Sequence, residues 1–272
     1  MYPNLLPVQS EIGAGLIDTH CHLDLAPLVT CLPQVLATAR QAGVTRFVVP
    51  GVHPKDWKRI MALAAGHREI LPAIGIHPMH AALASDDVLT ALAGLAPGGV
   101  AVGEIGLDPA YPVSLETQEA AFRQQLKLAV SRGLPVLVHC RRAFQRTLHL
   151  MREERADQVG GIMHAFSGSP EMAREFIRLG FLISLSGTLT WQGAVRPLRL
   201  AREISLEHLV LETDAPDMPP QGHRGEANQP AWLVETLLAL AAAKNVAPEA
   251  VAAATRENSV RVLGLPQGRN VY

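Results

Sequence analysis

The sequence predicts a single-domain α/β protein, a (β/α)8 TIM barrel over residues 16–265 preceded by a short tail at 1–15. Three observations carry this expectation. Short apolar or β-branched runs alternate with segments of helical periodicity, the pattern that parallel βα units impose on a chain. The runs are apolar almost throughout, as strands covered on both faces must be. Eight such units follow one another with no linker, repeat or low-complexity tract, and the 272 residues suit a closed barrel, which takes about 250 residues as one domain.

In chain order, strands are expected at Leu16 to Thr19, Thr45 to Pro50, Leu71 to Ile76, Val100 to Glu104, Pro135 to His139, Gly160 to His164, Phe181 to Leu185 and His208 to Asp214. Helices are expected at Pro33 to Ala42, Pro54 to Gly66, Asp86 to Leu95, Ser114 to Arg132, Arg142 to Arg155, Pro170 to Leu179, Ala194 to Glu203 and Gln229 to Lys244, with a last one at Pro248 to Leu263. Two helix starts carry their own signals. Ser114 has Thr117 and Gln118 in the first turn after it, where a serine side chain accepts from otherwise unpaired backbone N–H groups. Ser169-Pro170-Glu171 sets proline at the first helical position beside an acidic residue. Gly43, Gly66, Gly133 and Gly180 each stand just before a strand, where a helix end favours a residue tolerant of left-handed backbone.

Composition excludes several classes of protein. With 48% hydrophobic and 18% charged residues, the chain buries a large core and is far from the composition of disordered segments. Lys plus Arg is 24 and Asp plus Glu is 25, a net charge of −1, so bulk positive charge does not draw a polyanion to it and any nucleic-acid contact must be local. Cys21, Cys31 and Cys140 form no C-x-x-C pair; they read as packing residues in a reducing, cytoplasmic compartment. The first residues lack a basic and then apolar leader, and the run Leu233 to Ala243 is short of the roughly 18–20 residues that cross a bilayer. No membrane insertion and no obligate protein partner are expected.

In such a barrel, chemistry sits where the strands end, because the loops converge there while the interior is packed. The first strand ends in Asp18-Thr19-His20-Cys21-His22, the fourth in Glu104-Ile105-Gly106-Leu107-Asp108, the fifth in His139-Cys140-Arg141, the sixth in His164-Ala165-Phe166 and the eighth in Glu212-Thr213-Asp214. Residues i and i+2 of a strand share a face, so His20 and His22 reach one ion together. A lone histidine at a strand end is more often a hydrogen-bonded core residue than a ligand. Six residues, His20, His22, Glu104, His139, His164 and Asp214, form a nitrogen and oxygen set suited to Zn, Mn, Fe, Ni or Co. That set exceeds the needs of one catalytic zinc. Two divalent ions are expected, with His20, His22 and Asp214 on one, His139 and His164 on the other, and Glu104 between them.

At these residues the chain resembles the TatD family of metal-dependent hydrolases within the amidohydrolase superfamily. The resemblance rests on Ile17-Asp18-Thr19-His20-Cys21-His22, Gly75-Ile76-His77-Pro78, Val102-Gly103-Glu104-Ile105-Gly106-Leu107-Asp108, Pro135-Val136-Leu137-Val138-His139, His164-Ala165-Phe166-Ser167-Gly168-Ser169 and Leu211-Glu212-Thr213-Asp214-Ala215-Pro216. It implies a TIM barrel, a divalent metal centre and phosphodiester hydrolysis, with Mg- or Mn-supported deoxyribonuclease activity in several members and removal of D-amino acids from tRNA linked to others. Two segments depart from the family pattern: Asp108-Pro109-Ala110-Tyr111 replaces a common double aromatic, and Asp217 to Pro230 replaces an Arg-led stretch. Both bear on the substrate rather than on the metal site.

The expected reaction is hydrolysis of a phosphodiester, with DNA as the foremost substrate, using water made more acidic by a divalent cation. Asp214 is expected as general base beside the attacking water, Glu104 as the shared carboxylate, and Arg141 and His77 as the groups that hold the phosphoryl oxygens. One alternative keeps the centre and changes the bond to an ester or amide, as in a D-aminoacyl-tRNA deacylase. Another is a non-catalytic metal-binding scaffold, which predicts a closed site and is disfavoured by Asp214 at an open cleft. Phe144, Phe166, Trp191 and Tyr111 lie in loops at the mouth, where they either stack bases or pack the loops.

Overall fold

The computed structural model describes residues 15–266, so nearly all of the expected tail at 1–15 lies outside the described residues. Eight parallel strands, β1 Leu16–Asp18, β2 Val44–Pro50, β3 Ile70–Ile74, β4 Ala101–Leu107, β5 Val136–Cys140, β6 Gly161–Met163, β7 Phe181–Leu185 and β8 Leu209–Leu211, pair in sequence order. Beyond the ladder, Thr19 N donates to Leu211 O at 3.1 Å and Asp214 N to His20 O at 2.9 Å, which brings the last strand against the first. The α-helices are α1 Leu32–Gln41, α2 Trp57–Gly66, α3 Asp86–Leu95, α4 Leu115–Arg132, α5 Phe144–Glu153, α6 Pro170–Arg178, α7 Val195–Glu203, α8 Leu233–Lys244 and α9 Pro248–Val262. The fold is the single-domain TIM barrel that the alternation predicts.

Two apolar layers hold it together. Inside the barrel each strand contributes one residue to a single cluster, Ile17, Val48, Ala73, Ala101, Leu137, Ile162, Leu182 and Val210, joined by Leu263 and Leu265 from the end of the chain. The larger cluster lies between strands and helices and includes Phe47, Phe122, Phe176 and Phe181, all fully buried. Burial of such side chains stabilises by about 1.5–3 kcal/mol each. The filled interior leaves the strand ends as the place where polar groups gather.

Local chemistry explains most boundaries. Ser114 Oγ accepts from Thr117 N, and Ser169 Oγ accepts from Met172 N ahead of Pro170. Gly43, Gly133 and Gly180 have φ of +87°, +65° and +82°. Gly66 departs from the expectation: it ends α2 within the helix, and His67 leaves it in extended conformation. The helix expected from Arg142 to Arg155 is shorter, because Arg142 and Arg155 have left-handed φ of 54° and 56°.

Strand β4 runs beyond its expected end at Glu104 to Leu107, and the reason lies in its register with β5. Val102 faces Val136 and Ile105 faces Val138, so β4 carries one residue more than its partner between these pairs. A bulge of this kind re-aims a side chain. Here it falls at Gly103-Glu104, and beyond it Gly106 pairs with His139. Gly51, Gly75 and Gly103 let the backbones converge beside it, since a Cβ on Gly75 would lie 2.7 Å from the Gly103 carbonyl carbon.

Candidate metal centre

Glu104 lies within β4, His139 within β5, His164 directly after β6, and His20, His22 and Asp214 in the loops after β1 and β8. All are buried except His139, which is half-buried. Glu104 stands at their middle. Its Oε2 is 3.2 Å from His20 Nε2, and its Oε1 is 3.0 Å from His139 Nδ1, 3.6 Å from His164 Nε2 and 3.8 Å from His77 Nε2. Asp214 Oδ1 lies 3.5 Å from His22 Nε2 and 3.8 Å from Nε2 of both His20 and His164. The rings of His20 and His164 stack with centroids 3.6 Å apart, whereas His139 and His164 are separated by 6.1 Å.

Donor atoms close enough to share an ion fall into three sets: His20, His22 and Asp214; His20, His164 and Glu212; and His77, Glu104 and His139. Both ring nitrogens of His20, and Nδ1 of His22 and of His164, are buried and make no hydrogen bond. Some have carboxylate oxygens within ion-pair distance but off the hydrogen-bond direction. Buried polar atoms without partners are rare and destabilising, and a divalent cation is the group whose coordination satisfies imidazole nitrogens among carboxylates. The donor set therefore fits a metal ion.

The electrostatics point the same way. Burial works against the charge on Glu104, but His20, His164 and His77 hold its carboxyl well below the usual range. For Asp214, likewise buried, His164 and His22 keep the carboxyl low. Burial also opposes protonation of His164, yet Glu212, Asp214 and Glu104 raise it to about 10. His77 goes the other way: burial takes it down to about 3 despite Glu104. Its Nδ1 accepts from Met79 N at 3.2 Å, which leaves the proton on Nε2, facing the centre.

A further set of residues holds the donors in place. Asp18 accepts from Thr213 N and Oγ1 at 2.9 and 2.5 Å, and Asn228 Nδ2 donates to Thr213 O and Asp217 O, fixing the turn in which Asp214 has φ +57°. Gln125 of α4 brackets Ile76 through its N and O, steadying the residue before His77. Asp108 Oδ2 accepts from His139 Nε2 at 3.0 Å, and Glu212 Oε1 accepts from Ala165 N at 2.7 Å and lies 3.0 Å from His164 Nδ1. Asp18, Asp108 and Glu212 are absent from the expected site. A signal for two of them was present, since the step of two that pairs His20 with His22 also picks Asp18, and links Glu212 to Asp214. Arg141 is exposed in the loop after β5, and Cys21 and Cys140 are buried while Cys31 is exposed.

The sequence model of the TatD related DNase family matches residues 17–264. The chain belongs to the TatD family. This TatD-family protein is similar to the uncharacterized metal-dependent hydrolase YabD of Bacillus subtilis, at 35% identity over 250 residues, 91% of this chain and 98% of that one. It is 34% identical over 256 residues to the uncharacterized metal-dependent hydrolase YjjV of Escherichia coli, covering 92% of this chain and 98% of the other. The crystal structure of YjjV, a TatD homologue, superposes with a TM-score of 0.87 at 33% identity, over 92% of this chain and 98% of that chain. The family is thus one of metal-dependent hydrolases, and among the described residues no single helix of this member is long and apolar enough to cross a membrane.

Proposed function

We propose that this TatD-family hydrolase cleaves phosphodiester bonds, with DNA as the foremost substrate, using two divalent ions held by His20, His22, Glu104, His139, His164 and Asp214. The observation that carries the reading is the cluster of buried imidazole nitrogens without hydrogen-bond partners around two carboxylates at the barrel mouth. When bound, such ions lower the pKa of water and neutralise charge on a phosphoryl group. The remaining work falls to the chain. Asp214 accepts the proton of the attacking water. Glu104, with an oxygen toward His20 and another toward His139 and His164, holds the two halves of the centre together. His77, neutral and protonated on Nε2, donates to a phosphoryl oxygen, and Arg141 holds the anion in the bidentate manner of guanidinium. Three unpaired cysteines suit the cytoplasm, where thiols stay reduced.

The deciding experiment is a turnover screen of metal-reconstituted protein against single-stranded DNA, RNA, model phosphodiesters, carboxyl esters and D-aminoacyl esters. Hydrolysis of phosphodiesters supports the reading. Turnover confined to carboxyl or D-aminoacyl esters would replace it with the ester-hydrolase alternative.

A further inference from the structure

We infer that the groove between the first turns of α5 and α6 binds the nucleotide next to the scissile phosphate of a single-stranded nucleic acid. This inference rests on the phosphodiesterase reading above. The groove has a volume of about 460 Å³ and is lined by Arg142, Phe144, Arg146, Ser169 and Met172, among others. Its walls follow on from His139 at the end of β5 and from His164 just after β6. Arg142 follows His139 by three residues, so their Cα atoms are at most about 10 Å apart.

The distribution of charge selects the occupant. On the outer helices Arg123, Arg146, Arg152, Arg174 and Arg199 each face a glutamate of another helix or its flanking turn. Arg146, though it lines the groove, is thereby neutralised by Glu119. Arg141 and Arg142 are exposed and, among the described residues, make no ion pair. A chain of net charge −1 has no bulk field to attract a polyanion, so two free guanidinium groups beside the centre supply the local one.

The aromatic residues make the same selection. Of the four expected at the mouth, Phe166 is buried, and Phe144 begins α5. Trp191 donates its Nε1 to Pro219 O and has the Arg224 guanidinium over its ring at 4.5 Å, and Tyr111 meets His77 edge-on at 5.4 Å. Phe144 is half-buried, braced by Phe166 at 5.2 Å, and opens onto the groove beside Met172 and Arg142. An apolar aromatic wall with the unpaired Arg142 at its edge is the arrangement that stacks a base and holds its phosphate.

The test compares wild type with Arg142→Glu, Phe144→Leu and the control Arg202→Glu on α7, using a short labelled single-stranded DNA and a small model phosphodiester. Binding is read by fluorescence anisotropy over a salt series, and turnover by kcat/KM on both substrates. Arg142→Glu is expected to weaken DNA binding about tenfold or more and to flatten the salt dependence by about 0.7 in the log–log slope. Phe144→Leu keeps an apolar side chain against Phe166 and is expected to lose about tenfold in DNA affinity through the stacking ring. In both variants the ratio of kcat/KM for DNA to that for the small diester falls with the affinity, while Arg202→Glu leaves the ratio within about twofold. Wild-type affinity and salt slope in both groove variants would overturn the subsite. If wild type turned over neither diester, the phosphodiesterase reading would fall, and wild-type binding insensitive to Arg142 and Phe144 would overturn the subsite independently.

Discussion

Glu104 is approached by His20, His77, His139 and His164 within 3.8 Å, and each approach comes from a different strand end. In the proposed two-ion centre a carboxylate so placed would serve both halves, so Glu104→Ala is expected to weaken binding of both ions, and His139→Ala to keep the ion assigned to His20, His22 and Asp214. Metal counting by mass spectrometry on the purified variants checks this; tight binding of two ions by Glu104→Ala would end the shared-carboxylate assignment. Asp214→Asn preserves shape and removes the proton acceptor, with turnover expected to fall about 10²- to 10⁴-fold when measured with metal restored to wild-type occupancy, while Tm changes little. Retention of most of the wild-type kcat at normal metal content would remove Asp214 as the base. These donors were legible in the sequence because strand alternation and chain order place them together. Asp108 was not, because its contact with His139 depends on the extra residue in β4.

At the scale of elements, the bulge in β4 sets the geometry of the centre, and Gly106 makes it possible. It has φ +150° and sits opposite His139, where a Cβ would lie 1.8 Å from the His139 carbonyl oxygen. Gly106→Ala must therefore part β4 from β5 and is expected to destabilise the protein by about 3 kcal/mol. Gly94 in α3 is exposed and has open space around it, so Gly94→Ala is expected to stabilise by about 0.5–1 kcal/mol. Calorimetric Tm values decide both, and a Gly106→Ala protein as stable as wild type would contradict the packing argument. Helix starts at Ser114 and Ser169 were readable because a cap depends on only a few adjacent residues. The end of α5 at Glu153 was less so, since nothing local in Arg155 signals its left-handed backbone.

For the molecule as a whole, the apolar layers lie apart from the polar mouth. Ile17, Leu137, Ile162 and Val210 pack within the barrel without any of the six candidate donor side chains. Exhaustive chelation is therefore expected to abolish turnover and leave the far-UV circular dichroism unchanged. Returning a divalent ion is expected to raise Tm, since a ligand at 100 times its Kd stabilises the folded state by about 2.7 kcal/mol. Hydrolysis that persisted after metal was shown to be absent would refute metal dependence.

The sequence alone determined the barrel and the order of its strands, and it placed six candidate donors at the strand ends, because periodicity and strand-end position are local properties that a linear chain displays. Tertiary structure alone decided which of those donors share a neighbour and which residues brace them. It also placed Phe144, at the start of α5, on a groove. Such facts depend on register, on one extra residue in a strand and on which arginines find a glutamate. These are relations between segments far apart in the chain, and they exist only once the strands have paired and the helices have packed.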